Sequence, residues 1–258
     1  MGNSGLPAVR RVGWAQPFRW LGSGLVALGR SWPVSLAYGL AVALLSVSVA
    51  GALVVSHLAY WALALTCGFV FVAPVLAMGN YETARRLERG ERLTLAGAFI
   101  VPQAFRQDVA YLGMALFLIF GFWIQAAQIV YGLNTFQIHR SLDAFLQFAL
   151  HTEEGHSMLA VGTLVGGAIA FLTYVLVVVS APMLLDRRYS VFEATVTSVR
   201  AVNENVGPMM LWALIIAIMT LGSAATGFAA LIVVFPWLGL SSWMAYRDLV
   251  APPDDGEA

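Results

Sequence analysis

The chain has 258 residues, of which 60% are hydrophobic and only 11% charged, with a formal net charge of zero and a mean hydropathy of +0.79. A water-soluble domain carries about 25% charged residues, so this composition argues against one; apolar runs long enough to cross roughly 30 Å of hydrocarbon point instead to a polytopic α-helical membrane protein. Alternating segments of about ten residues are missing, which argues against a β-barrel, and the single cysteine, Cys67, allows neither an intramolecular disulfide nor a cysteine metal cluster.

Residues 1–12 are polar and glycine-containing and are expected to be mobile. No compact apolar segment with a small-residue cleavage site occurs among Arg10, Arg11, Arg19 and Arg30, so the first hydrophobic helix is expected to be its own insertion signal. Trp14, Phe18, Leu21, Leu25 and Leu28 recur at helical steps with Arg19, Ser23 and Arg30 off their stripe, which predicts a helix over 14–30 lying in the membrane interface. Spans follow at about 34–56, after Trp32-Pro33, and 61–79, joined by a short link containing His57 and Tyr60. Pro74 bends the second of these. Its helix runs on into water through the pairs Glu82–Arg86 and Glu88–Arg92, each spaced i,i+4, and Gly90 offers an end.

Residues 94–106, interrupted by Pro102, are too short for a span and read as a second interfacial segment. The third span, about 109–131, precedes a polar loop over 132–157 in which Leu142, Phe145, Leu146 and Ala149 suggest a short amphipathic helix. A fourth span covers about 158–185, with Pro182 near its end. Ser190 and Glu193 then have the spacing of a capping box, and Phe192, Val196 and Val199 form the stripe of a third interfacial helix. The apolar stretch after Gly207 is too long for one span; the turn signal at 222–227 divides it into spans at 207–222 and 227–246, and the tail 250–258 is expected to be disordered.

All 14 basic residues are arginine, and 13 of them fall on one side of this arrangement, Arg140 alone on the other. Arg85, Arg86, Arg89, Arg92, Arg187 and Arg188 supply the densest part of that bias, which predicts six spans with both termini cytoplasmic. A threefold pattern accompanies it: each interfacial segment ends near an arginine, Arg30, Arg106 or Arg200, and each returning span carries a proline, Pro74, Pro182 or Pro236. The expected architecture is all-α, a single membrane domain over 1–258, with six transmembrane helices arranged as three hairpins and cytoplasmic interfacial amphipathic helices.

Few residues carry chemistry. His151 and His156, with Glu153 and Glu154 between them, offer imidazole and carboxylate ligands of the kind zinc or copper accepts, and His151, His156 and Glu154 form the candidate metal set, short of a fixed further ligand. His57 and His139 are expected on the same outer side. Gln125 and Gln128 share a face of the third span and read as packing contacts or as the lining of a membrane path, with the three prolines either as tolerated kinks or as a hinge ring. Gly162 and Gly166 form a small-residue motif that permits close helix approach. The basic segment 85–92 is expected to hold topology and to meet anionic lipid headgroups; a nucleic-acid partner is not indicated, since the arginines adjoin the bilayer. Neither a nucleophile elbow nor a phosphate-binding P-loop occurs, so no enzyme activity and no cofactor are expected.

At GFVFVAPVLAMGNYETARRLERGE, again at SAPMLLDRRYSVFEATVTSVRAVNENVGPMMLWALI, and at the terminal WMAYRDLV, the chain resembles a bacterial family of predicted integral membrane proteins, domain of unknown function 2189, over about residues 13–250. The resemblance implies a multi-pass inner-membrane protein of unknown activity. Its last span ends in a GHxxWHxYRDL-like pattern, in which Leu240 and Met244 here replace both histidines; a metal or haem role at that end is therefore not implied. The expected function is a non-enzymatic structural, scaffold or assembly component with membrane lipids, other membrane proteins or itself as partners. A small-molecule transporter or channel is the alternative, and a metal-dependent role at the outer face a further one.

Overall fold

A computed structural model describes residues 6–56, 59–137, 139 and 141–252. Eleven α-helices occur among them: α1 (Gln16–Val55), α2 (Ala59–Leu76), α3 (Met78–Glu88), α4 (Leu95–Phe99), α5 (Gln107–Asn134), α6 (Leu142–His151), α7 (Glu153–Val177), α8 (Ser180–Asp186), α9 (Val191–Glu204), α10 (Val206–Ala225) and α11 (Leu231–Leu249), with a 3-10 turn at Pro102–Phe105. No strand is formed among the described residues beyond an isolated antiparallel bridge between Val9 and Val250. Five stretches, Gln16–Val55, Ala64–Glu88, Gln107–Asn134, Glu153–Asp186 and Val206–Ala225, are long and apolar enough to cross a membrane. α11 is not among them; twelve of its 19 residues are buried, so it is an interior helix.

The sequence reading divides residues 14–56 into an interfacial helix and a span, but α1 is one continuous helix of 40 residues, about 60 Å long at 1.5 Å per residue. Its buried side explains the continuity. Trp20, Gly24, Ala27, Ser31, Ser35, Gly39 and Val42 form one stripe that passes Pro33 without a break, while Trp14, Phe18 and Leu25 of the stripe expected to lie in the interface are exposed. Small residues make up most of the packed stripe, while Leu25, Val26, Leu40 and Leu44 face outward. α9 repeats this arrangement, burying Ala194, Thr197, Ser198 and Ala201 while Phe192 is 75% exposed. Between helices in a membrane the hydrophobic effect is weak and close approach of small residues governs packing, so the bulkier stripe is left for lipid.

Helix ends follow local chemistry. α3 stops at Gly90, whose φ of +66° suits a residue without a side chain; Gly90 N–H donates to Leu87 O at 3.2 Å and Glu91 N–H to Arg86 O at 2.9 Å, a Schellman closure. This end leaves Arg92 outside the helix, so the expected Glu88–Arg92 pair does not form; Glu88 instead meets Arg247 at 3.4 Å. The capping box at α9 forms as its spacing predicts, with Glu193 N–H donating to Ser190 Oγ at 3.3 Å and Ser190 N–H to Glu193 Oε2 at 2.8 Å. The segment 94–106 is split between α4, capped by Thr94, and the 3-10 turn that opens at Pro102.

The helices form two units. In one, Met1–Ala43, Pro74–Gly113 and Tyr174–Ala258, the three segments around or after the returning prolines, α3, α8 and α11, pack against one another. Met183, Leu184, Leu240 and Trp243 are fully buried there. α1 lies close along α11, because Gly24 faces Ser241 and Gly39 faces the carbonyl of Ile232 with no room for a Cβ. Pro236 has no N–H to donate to that carbonyl, so the glycine approaches the one acceptor the proline has freed. The ends of the chain are pinned in the same unit. Arg10 N–H donates to Leu249 O at 2.8 Å and Ala251 N–H to Ala8 O at 3.0 Å, while Asn205 accepts from Val12 N–H at 2.7 Å and donates to Arg10 O at 3.0 Å. Residues 8–12, expected from their polarity to be mobile, are thus held by backbone pairing; residues 1–5 and 253–258 lie outside the described residues.

The other unit, Leu44–Ala73 and Met114–Thr173, is organised on Trp123. Its Nε1 donates to Ala64 O at 2.7 Å, its ring lies 6.2 Å from that of Phe71, and a Cβ at Gly166 would fall 2.7 Å from it. The small-residue motif of α7 therefore serves packing within the chain. A second cluster, Val130, Phe145, Phe148, Ala149 and Met158, seats the amphipathic helix α6.

Candidate functional site

In the first unit the returning helices end on charged and aromatic residues that meet. α8 ends at Asp186, which is 11% exposed and accepts from Tyr246 Oη of α11 at 2.8 Å. Two guanidiniums face the same carboxylate oxygen, Arg247 Nη1 at 3.5 Å and Arg187 Nε at 3.7 Å. Arg247 then reaches Glu88 at the end of α3, so one chain of charges joins α3, α8 and α11. Arg187 lies over the Tyr246 ring, 5.6 Å from its centroid, and donates through Nη2 to Ala251 O at 2.8 Å. Arg106, just before α5, closes the end of α8 by donating to Leu184 O at 3.2 Å and Arg187 O at 2.9 Å.

This arrangement is a junction of helices. Tyr246 and the two arginines tie three elements together through Asp186, Glu88 and a main-chain carbonyl, while Arg187 Nη1 is buried without a hydrogen-bond partner. Nearby, Asp248 accepts from Trp20 Nε1 at 2.8 Å and from the Gln16 amide, which anchors the start of α1. Deeper in α3, Glu82 is 2% exposed and is held by Arg85 and Arg86 at 2.7 Å each. Of the six arginines expected to set topology, Arg85, Arg86 and Arg187 are thus engaged with protein groups, whereas Arg89, Arg92 and Arg188 are exposed. Arg89 meets Glu91 at 3.9 Å.

Pro74 and Pro182 stand near breaks between helices, which side chains from other elements repair, whereas Pro236 lies inside the continuous α11. At the α2–α3 break Tyr38 Oη donates to Leu76 O at 2.6 Å. At the α7–α8 break Val179 N–H, whose helical acceptor would be Val175 O, donates instead to Ser198 Oγ at 3.2 Å, and that hydroxyl donates to Val175 O at 2.8 Å. Pro182 and Pro236 are buried and Pro74 is half-buried.

Gln125 and Gln128 are exposed and bond each other, Gln128 Nε2 donating to Gln125 Oε1 at 2.9 Å. His151, His156, Glu153 and Glu154 are exposed, and His156 Nε2 lies 2.9 Å from Leu150 O. No group of three His, Cys, Asp or Glu is assembled among the described residues, so His151, His156 and Glu154 are not brought together as a ligand set. His139, by contrast, is fixed: Nδ1 lies 2.8 Å from Tyr131 Oη and the ring stacks on Phe148 at 4.5 Å. It shares with His151 and Glu154 the wall of an open groove of about 630 Å³. His57 and Arg140 lie outside the described residues.

Sequence reasoning overlooked Asp186, Tyr246, Arg247, Glu88 and Arg106 as partners. A signal was present: the ends of the three returns each combine tyrosine, acid and arginine, as Tyr81-Glu82 with Arg85, Asp186-Arg187-Arg188-Tyr189, and Tyr246-Arg247-Asp248.

No curated protein and no solved structure matches the chain. The family described as "predicted integral membrane protein (DUF2189)" matches residues 62–186, from α2 through the end of α8 and including Glu82, Pro74, Pro182 and Asp186. The match is shorter than the resemblance over 13–250 and leaves α9 to α11 outside it. Residues 62–186, just under half of the chain, are thus similar to that family of predicted integral membrane proteins, and the chain is an integral membrane protein with several apolar helices.

Proposed function

We propose that the protein is a non-enzymatic scaffold or assembly component of the bacterial inner membrane, crossing it six times as three hairpins with both ends cytoplasmic. The observation that carries the scaffold reading is the filled junction of α3, α8 and α11, where Met183, Leu184, Leu240 and Trp243 are fully buried and charge pairs tie the helix ends. Six crossings are favoured by parity. The bridge between Val9 and Val250 holds the two ends of the chain together, so an even number of crossings is needed; α11, opening with the apolar run Leu231–Phe235, adds the sixth to the five apolar stretches. The 13-to-one division of arginines favours the cytoplasm for those ends. Outward-facing Trp14, Phe105 and Phe192, on the segments that precede each hairpin, suit contact with lipid at the interface.

A transporter would turn its polar groups toward a central path, whereas Gln125 and Gln128 face outward. The decisive experiment is purification from native membranes with identification of co-purifying proteins, lipids and metals. A stoichiometric protein partner is the expected result. Isolation of the chain with a bound solute, together with flux of that solute into proteoliposomes, would replace the scaffold reading with transport.

A further inference from the structure

α5 carries Met114, Leu118, Gly121, Gln125, Gln128 and Gly132 at steps of four, three, four, three and four, and all six are exposed. This is a seam of period 3.5, the spacing by which two helices wind on each other. It runs opposite the face on which Leu116, Trp123 and Val130 are buried. No atom lies within 4 Å of where a Cβ would stand at Gly121 or Gly132, so both glycines open outward, one turn to either side of the amide pair. The exposed face of α10 differs: Met210, Leu214, Ile218 and Leu221 are all apolar, as a surface against acyl chains requires.

The amide pair is half satisfied. Gln128 donates to the carbonyl of Gln125 at 2.9 Å, which leaves the Gln125 NH2 group as an unspent donor and the Gln128 carbonyl as an unspent acceptor on the same outward face. In hydrocarbon no water completes them, so leaving such groups without partners is unfavourable. A second copy of this chain supplies the complement. Copies inserted with the same topology and related by a two-fold axis along the bilayer normal place α5 parallel to α5 and in register. The free donor of each copy then faces the free acceptor of the other, and the glycines let the backbones come near enough for short amide side chains to meet.

We infer that this face of α5 is the interface of a homodimer, sealed by reciprocal hydrogen bonds of Gln125 and Gln128. The inference rests on the reading that α5 crosses the membrane. The test uses the full-length protein in phosphatidylethanolamine–phosphatidylglycerol bilayers, with subunits counted by photobleaching across a dilution series. Wild type is expected to dimerise, and Gln125→Leu/Gln128→Leu to associate about tenfold more weakly, with an unchanged helical spectrum and elution to show that it folds. In native membranes, on a Cys67→Ser background, Gly121→Cys is expected to oxidise to a cross-linked dimer and Ile218→Cys on α10 to stay monomeric. Monomers at every dilution, cross-linking through 218 rather than 121, an unaltered affinity in the double variant, or a cross-link from 121 to a different protein would each overturn the homodimer. Failure of the six-crossing reading is separate: reporters on the two ends would then lie on opposite sides of the membrane, whatever the subunit count.

Discussion

Glu82 illustrates how a charge is accommodated in this chain. A carboxylate buried to 2% exposure is tolerable because Arg85 and Arg86 reach it from one turn further along the same helix, with NH groups at 2.7 Å. Neutralising it leaves two guanidiniums, 12% and 27% exposed, without their acceptor. Glu82→Gln is therefore expected to destabilise the protein by about 2–3 kcal/mol, and Glu88→Gln, whose carboxylate is 32% exposed, by less than about 1 kcal/mol. Thermal unfolding of the two variants in the same detergent checks the contrast. Glycines along α1 divide by the same logic. Gly39→Ala forces a methyl group against the main-chain carbonyl of Ile232, which cannot move without shifting α11; a loss of about 1–3 kcal/mol is expected, as for overpacking. Gly29→Ala meets nothing within 4 Å, and the better helix propensity of alanine is expected to leave stability unchanged or raise it by up to about 1 kcal/mol.

The elements are joined where prolines would weaken them. Ser198 of α9 is fully buried and stands between Val179 N–H and Val175 O, restoring through one hydroxyl a link that the helix itself lacks. Ser198→Ala is expected to cost about 1–3 kcal/mol, because a buried donor and a buried acceptor lose their partner together; hydrogen exchange should rise first at the α7–α8 junction. Asn205 does similar work at the end of α9, where its amide holds the N-terminal segment at Val12 and Arg10. Asn205→Ala is expected to free that segment, seen as faster proteolysis ahead of Gln16 with α1 itself intact. Neither contact follows from the propensity of either helix. Both arise because α9 turns its small, polar side toward protein and leaves Phe192 outside.

At the level of the whole molecule, the pairing of the chain's ends and the arginine bias make one joint prediction. Reporter fusions after Val250 and before Leu6 are both expected to be cytoplasmic, and a probe on the 132–157 loop to be reached from the outside. Reversing the signal should be hard, since it is spread over four segments holding 13 arginines. Arg92→Glu with Arg188→Glu, which reverses two exposed charges, is expected to leave the topology unchanged in the same assay.

By itself the sequence determined much of what depends on composition and on neighbours within a turn or two of helix, though not the Glu88–Arg92 pair. The apolar stretches, the amphipathic helix near 142–149, the Gly90 stop and the Ser190–Glu193 capping box were legible because each follows from hydration cost or from groups only a few residues apart. The tertiary structure alone decided which face of α1 and α9 packs, that α1 continues through Pro33, and that α11 lies inside. It also decided that Asp186, Tyr246, Arg247 and Glu88 meet although 158 positions separate Glu88 from Tyr246. The physical reason is the solvent. In water the large apolar stripe of a helix marks its buried side, but lipid accepts that stripe, and selection of the packed side passes to small residues and polar pairs whose partners lie elsewhere in the chain.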